Sequence, residues 1–272
     1  MRHKSRGFGE RKHPKQQKQN TAASDSLRIY GYLPVLEALK AKPEKFRKIV
    51  VSQWRNDARI AELEESARRS GVPVNRVPSD ELVRLVEEGA NHQGVCAFVK
   101  PAEFIEKSEL IRKALDSVSP TLLVLDGIED PRNLGAIVRT AECAGVAGIF
   151  LPDKRAAGIT EVAVKTAAGA ADHVTFAHSG NISALLAELK EAGFWIVGAS
   201  GDASAGYTDW DFSLPTAIVL GSEGKGIKRL TAENCDQLVK IPMYGKIESL
   251  NVSVAAGVLL FEAVRQKALG KS

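Results

Sequence analysis

Cysteine is scarce in this chain: Cys96, Cys143 and Cys235 are the only three in 272 residues, and they lie far apart. They cannot all pair with one another, and no Cys-x-x-Cys spacing offers a zinc site. A reduced, cytoplasmic compartment is therefore expected. Long apolar runs are missing too. None approaches the roughly 20 residues that a membrane-spanning helix needs, so no membrane partner is expected. The N-terminus is basic but is followed by no apolar segment, which argues against a secretory signal. The five histidines are scattered and form no ligand cluster, so no metal is expected. Tandem repeats are absent.

What remains is the composition of a soluble globular protein, 44% apolar and 26% charged, long enough for two modest domains. The charge is unevenly placed. Residues 1–26 carry seven basic side chains against Glu10 and Asp25, a net of +5, whereas the whole chain is only +4. This basic tail has almost nothing apolar to bury and is expected to be disordered. It suits either a solubilising extension or a non-specific RNA-binding arm.

Leu27 opens the first folded unit. Strands are expected at Arg28–Tyr30, Phe46–Ser52, Val74–Val77 and Gly94–Lys100. Helices are expected at Tyr32–Lys40, at Asn56–Ser70 (ended by Gly71), and at Ser79–Glu87 (capped by Ser79). This alternation describes a small α/β domain over residues 27–101, closed by Pro101. Residues 102–119 are charged and partly helical and end at Pro120, which suits a linker. The second unit, 120–272, opens with the apolar run Thr121–Asp126, suited to a strand buried on both faces. Helices near Leu134–Cys143, Thr160–Ala168, Ile182–Ala192 and from Asn251 onward then alternate with strands. Those strands are expected at Ala147–Leu151, His173–Phe176, Phe194–Ala199, Thr216–Gly221 and Gln237–Ile241. Strict alternation argues for a mostly parallel sheet with helices on both faces.

Three segments of this second unit carry chemistry. Asp126–Arg139 leaves its first strand through an Asp130-Pro131 turn, with Asn133 where a helix N-cap is expected and Arg139 six residues on. Ile218–Gly226 is an apolar strand ending in a three-glycine loop. That loop lacks Walker spacing and fails the G-x-G-x-x-G pattern. Glu223 in its middle would repel a phosphate, so close backbone approach to a neutral or cationic ligand fits better. In Gly245–Glu262, a polar cluster (Glu248, Ser249, Asn251, Ser253) runs into a long apolar helix. Singly, these read as a cap, a solvated arginine and a capped core helix. Together, as loops at the carboxyl ends of parallel strands, they would converge on one crevice.

In this order and spacing, N-L-G-A-I-V-R-T-A, L-G-S-E-G-K-G and I-P-M…S-L-N-V-S-V-A-A-G resemble the three motifs of the SpoU (TrmH-like) RNA 2′-O-ribose methyltransferases. The resemblance covers residues 121–268. The N-terminal half, with Tyr30-Gly31 and Asn91-His-Gln-Gly94, is similar to their ribosomal-protein-L30-like substrate domain. The nearest type in that family is RlmB, which methylates a guanosine ribose in the peptidyl-transferase P-loop of bacterial 23S rRNA. The resemblance implies a SPOUT-type parallel sheet tied in a trefoil knot, an exception to unknotted chains. It also implies S-adenosylmethionine (AdoMet) as cofactor, contacted by Gly221, Ile241 and Leu250, and a homodimer with each active site at or near the interface. The implied partner is 23S rRNA, with tRNA as the alternative substrate, and not DNA. A non-catalytic RNA-binding assembly factor is the alternative outside enzymology. Residues 166–171 read T-A-A-G-A-A, where relatives often place a Ser before the Gly-Ala, so no contact is assigned there.

The implied catalytic residues are Arg139, Asn133, Glu223, Ser249 and Asn251. Methyl transfer to a 2′-hydroxyl is an in-line displacement that needs alignment and loss of a proton. A guanidinium is effectively always protonated, so Arg139 is expected to stabilise the developing alkoxide and clamp a phosphate, not act as a base. Asn133 would orient Arg139 or the ribose, Glu223 would hold a loop or a basic side chain, and Ser249 and Asn251 would complete the pocket. RNA choice is expected to rest on the N-terminal unit. There Trp54 and Tyr32 suit either base stacking or core packing, and His92 a structural or RNA-contact role.

Overall fold

Apolar residues in the two long helices of the first unit recur at the helical period, and each helix buries one face. The computed structural model describes residues 26–86, 89–152, 160–167 and 169–270. The basic tail (but for Ser26) and the expected helix end at Glu87 lie outside the described residues. The first unit runs β1 (Leu27–Tyr30), α1 (Tyr32–Ala41), β2 (Phe46–Ser52), α2 (Ala58–Arg69), β3 (Val74–Val77), α3 (Ser79–Val83) and β4 (Val95–Val99). Its strands lie in the order β1-β4-β2-β3, with only β2 and β3 parallel. Val35 and Leu39 of α1 and Ile60, Leu63 and Ala67 of α2 pack on Ile49, Val51, Val95 and Ala97. Asp57 caps α2 by accepting from the Arg59 and Ile60 amides, and Gly71, at φ 70°, follows its end. Ser79 is not the cap expected of it. Pro78 precedes α3 without a side-chain cap, and the Ser79 hydroxyl instead pairs with that of Ser52 at 2.8 Å.

The second unit continues with β5 (Phe104–Ile105), α4 (Lys107–Ala114), β6 (Thr121–Asp126), α5 (Pro131–Cys143), β7 (Gly148–Leu151), α6 (Glu161–Ala167) and β8 (Phe176–His178). After these come α7 (Ile182–Glu191), β9 (Trp195–Ala199), β10 (Ala205–Gly206), β11 (Thr216–Gly221), α8 (Arg229–Glu233), β12 (Gln237–Lys240) and α9 (Val252–Leu269). The eight strands lie in the order β10-β12-β9-β11-β6-β7-β8-β5, and every pairing is parallel. β6 shows why its sequence is apolar throughout. Leu123 and Leu125 join the core under α5 and α9, while Leu122 and Val124 join the core under α4 and α7. Such a strand has no solvent face. After β12 the chain starts α9 at Asn251, which lies beside Asn133, at the start of α5, and Glu223, in the loop after β11.

Two expectations need correction. Residues 102–119 are not a bare linker: β5 pairs with β8 at the sheet edge, and α4 buries Leu110, Ile111 and Ala114. The Leu110 side chain fills the space above Gly148, where an added Cβ would come within 2.3 Å of it. Lysines, arginine and glutamate surround those few apolar residues and gave the segment its linker-like composition. The strand expected at His173–Phe176 begins at Phe176 instead, because residues 170–172 form a short 3-10 turn. That turn meets the first unit: Lys45 Nζ lies 2.7 Å from Asp172 Oδ1, with side chains only 12% and 15% exposed. Val164 of α6 also packs against the first unit's core.

Leu110→Ala should lower the stability of the second unit by about 2–5 kcal/mol, the usual loss for a buried leucine. Urea unfolding monitored by the fluorescence of Trp195 and Trp210 checks this. An unchanged midpoint would return residues 102–119 to the status of a tether.

Candidate active site

Asp126 ends β6 and is buried, so its carboxylate needs partners. It finds them across the sheet end, in the segment that follows the glycine-rich loop. Thr231 Oγ1 donates to Oδ2 at 2.8 Å, the Lys228 amide approaches the same oxygen at 3.4 Å, and Lys228 Nζ pairs with Oδ1. The loop between Gly221 and Lys228 is thus fastened at both ends. Within it, Ser222 and Gly226 exchange two backbone hydrogen bonds of 3.0 and 2.9 Å. Gly221 must be glycine here. A Cβ on it would lie 2.0–2.2 Å from the backbone of Gly226 and Ile227.

Asn251 joins the three segments. Its Nδ2 donates to Asn133 Oδ1 at 3.0 Å and to Glu223 Oε1 at 2.6 Å. Its Oδ1 accepts from the Ser253 amide at 2.9 Å and the Ser253 hydroxyl at 2.6 Å, which caps α9. The network fixes the amide's orientation: a flipped group would set oxygen against a carboxylate and NH2 against a helix amide.

Two adjoining cavities open around this junction. The larger, about 510 Å³, lies beyond the carboxyl ends of β9, β11 and β12 and is walled by Gly221, Glu223, Ile241, Ser249, Leu250 and Asn251. The smaller, about 240 Å³, is walled by Gly127, Asp130, Asn133, Ser222, Glu223 and Lys225. Glu223 belongs to both. The larger cavity is bordered by three carboxylates (Asp202, Glu223, Glu248) and two ammonium groups (Lys225, Lys240). Its wall thus offers both signs of charge, with acid in excess. Its size is ordinary for a cofactor-binding cleft.

All the expected site residues except Arg139 stand at this junction. Arg139 is exposed on α5 and lines neither cavity. Six helical residues carry it about 240° around and roughly 9 Å along from Asn133. Asn133 is not the N-cap: Asp130 caps α5 by accepting from the Arg132 amide at 2.8 Å, and Asn133 is buried inside the first turn. Asp126, Lys228 and Thr231 had no role in the sequence reading. Their link spans more than a hundred residues, and only the apolar run ending in an aspartate hinted at it. The Ser200–Asp202 edge of the larger cavity was also missed, since the turn after β9 carries no motif. In the first unit, Tyr32 is a packing residue: it is buried, and its hydroxyl donates to Glu62 at 2.5 Å, which holds the phenol pKa above its usual value.

Residues 120–261 match the SpoU rRNA Methylase family, and residues 28–105 match the family described as RNA 2'-O ribose methyltransferase substrate binding. The chain belongs to the SpoU methylase family. Over 239 residues it is 41% identical to the 23S rRNA (guanosine-2'-O-)-methyltransferase RlmB of Vibrio vulnificus, covering 88% of this chain and 96% of the relative. Among solved structures, the SpoU methyltransferase AviRb from Streptomyces viridochromogenes in complex with AdoMet has the same fold. Its TM-score is 0.74 at 23% identity, over 90% of this chain and 91% of that one. The A. aeolicus TrmH/SpoU tRNA modifying enzyme is 32% identical with a TM-score of 0.51, over 61% of this chain and 84% of that one. The likeness to the Vibrio protein therefore spans both units of this SpoU chain.

Gly221→Ala should force the Ser222–Gly226 turn away from the end of β11. Hydrogen exchange at the Ser222 and Gly226 amides measures it: protection should fall at both. Retained protection would show that the crowding at Gly221 can be relieved elsewhere.

Proposed function

We propose that this SpoU methyltransferase is a cytoplasmic homodimer that moves the methyl group of AdoMet to the ribose 2′-oxygen of a guanosine in 23S rRNA. The guanosine lies in the peptidyl-transferase P-loop. One observation carries this reading: Asn251 ties the turns after β6 and β11 to the start of α9, around a cavity of cofactor size. The larger cavity suits AdoMet in size, and its acid-rich wall suits a ligand of net positive charge. When bound, AdoMet supplies an electrophilic methyl on a sulfonium. Gly221, Ile241 and Leu250 would hold it, largely through backbone, and Gly221 leaves no side chain in the way.

The chain's own polar residues then serve the acceptor. Asn133 and Glu223, both on the smaller cavity, would orient the ribose, with Asn251 fixing them and Ser249 completing the wall. As the 2′-oxygen bonds to the methyl carbon and the carbon–sulfur bond breaks to leave a neutral thioether, the hydroxyl proton passes to solvent water. A guanidinium cannot take that proton, so Arg139 would stabilise the oxygen's developing charge and grip the adjacent phosphate. Arg139 lies exposed outside its own subunit's cavities, one residue before Thr140, which meets α9. Thr140 Cγ2 is 3.7 Å from where a Cβ on Gly257 of α9 would sit. On α9, Val254 and Phe261 are about half exposed, at 51% and 49%, and share one face. A dimer seam over that face would bring Arg139 toward the partner's pocket.

The tRNA reading is favoured by the likeness of 61% of this chain to a tRNA modifying enzyme. The rRNA reading is favoured by identity to a 23S rRNA methyltransferase across both units. Tritiated methyl transfer onto in-vitro transcribed 23S rRNA and tRNA separates them. Label in 2′-O-methylguanosine of 23S rRNA is expected, label on tRNA alone would replace the proposal, and no label on either would leave an assembly factor. Arg139→Lys should lower kcat at least tenfold with AdoMet affinity retained by calorimetry. Turnover within a few-fold of wild type would contradict the role of Arg139.

A further inference from the structure

We propose that Trp54 is a stacking platform for an unpaired base of the RNA, at the end of the first unit away from its Lys45–Asp172 contact with the second unit. The inference rests on the reading of the chain as an RNA methyltransferase. Trp54 sits in the turn after β2 with 77% of its surface exposed. Among the described residues no ring, cation or hydrogen-bond partner occupies it. Its neighbours Gln53, Arg55, Asn56 and Asp57 are all polar. A lone indole on a polar surface does not make the broad apolar patch of a protein interface. It does match the sequence-tolerant face on which single-stranded nucleic acid stacks.

The turn that carries Trp54 is rigid, held from both sides. The Gln53 amide donates to Val77 O at 2.8 Å, and the Arg55 amide to Ser52 O at 3.1 Å. The Arg55 side chain donates to Asp57 and to Gln93 O, each at 2.5 Å. Arg76 Nη1 donates to Arg55 O at 3.0 Å and to Asn56 Oδ1 at 2.8 Å. Across the turn, Gln93 holds a left-handed φ of 49°, the only non-glycine to do so among the described residues. Its Oε1 accepts from the Tyr32 amide at 3.2 Å. Gly94 is pressed against Arg55, whose Cγ lies 2.9 Å from where a Cβ would stand. Gly31, the Trp54 turn and Asn91–Gly94 are thus held together, so the backbone that carries the indole needs no ordering on binding. Arg55 and Arg76 are already paired with Asp57 and Glu64, which assigns the binding here to the ring and not to a phosphate clamp.

The start of β2 is docked on the second unit through Lys45 and Asp172, and Trp54 follows its other end. Seven strand residues separate them by about 20 Å. The indole thus stands at the free end of the first unit, where a base of a bound RNA can reach it without entering the second unit's cavities.

Methyl transfer to in-vitro transcribed 23S rRNA tests this with Trp54→Ala and Trp54→Phe. Trp54→Ala should raise the KM for RNA roughly tenfold, the scale of one lost base stack. Its kcat, AdoMet affinity and thermal midpoint should stay as in wild type, and Trp54→Phe should recover most of the loss. An unchanged KM in Trp54→Ala, or a loss that appears in kcat or in the thermal midpoint, overturns the stacking site. Wild-type protein that labels no RNA would instead overturn the functional reading on which the proposal rests.

Discussion

The amide of Asn251 is the constraint on which the second unit's site depends. It uses both of its hydrogens and two acceptor positions, reaching Asn133 from the turn after β6, Glu223 from the loop after β11, and the first turn of its own helix. Those three pieces lie far apart in the chain, and this one side chain ties them into a single wall. A side chain satisfied on every side has one position, and it passes that position to its partners. Without it, a carboxylate, a buried amide and a helix start would each have to find separate partners.

The sheet makes this junction possible. Parallel strands end on the same side, so β6, β9, β11 and β12 all deliver their turns to one edge. Two further details hold those turns in place. Asp126, buried at the end of β6, anchors the segment behind the glycine-rich loop through Lys228 and Thr231. Gly221 lets that loop fold back against the end of its own strand. The first unit is attached at the far edge by a largely buried ion pair and a patch of apolar contact. Substrate binding and methyl transfer are thereby assigned to separate parts of one molecule.

Much of this could be read before the structure, and the reasons differ by feature. β6 and β11 were legible because a strand buried on both faces must be apolar at every position, as T-L-L-V-L-D and T-A-I-V-L-G are. The meeting of Asn133, Glu223 and Asn251 was legible only through the order of the three motifs, since residue types alone allowed ordinary caps. The helical character of residues 102–119 was legible, but the docking of α4 was hidden, because three apolar residues among charges resemble a solvated linker. Asp130, not Asn133, caps α5 because a proline at the first helical position favours the residue before it as the cap. The anchoring of Lys228 and Thr231 to Asp126 could not be read, because no local pattern encodes a hydrogen bond across a sheet end. Arg139 shows the converse: its motif was clear, yet the fold leaves it on an exposed helix face.

Through Asn251, Asn133 and Glu223 act as one unit. A double-mutant cycle on methyl-transfer kcat/KM, with Asn133→Ala, Glu223→Ala and the pair, measures this directly. The pair should lose far less than the sum of the single effects, with a coupling of about 1 kcal/mol or more that vanishes in an Asn251→Ala background. Effects that add to within about 0.5 kcal/mol would contradict it.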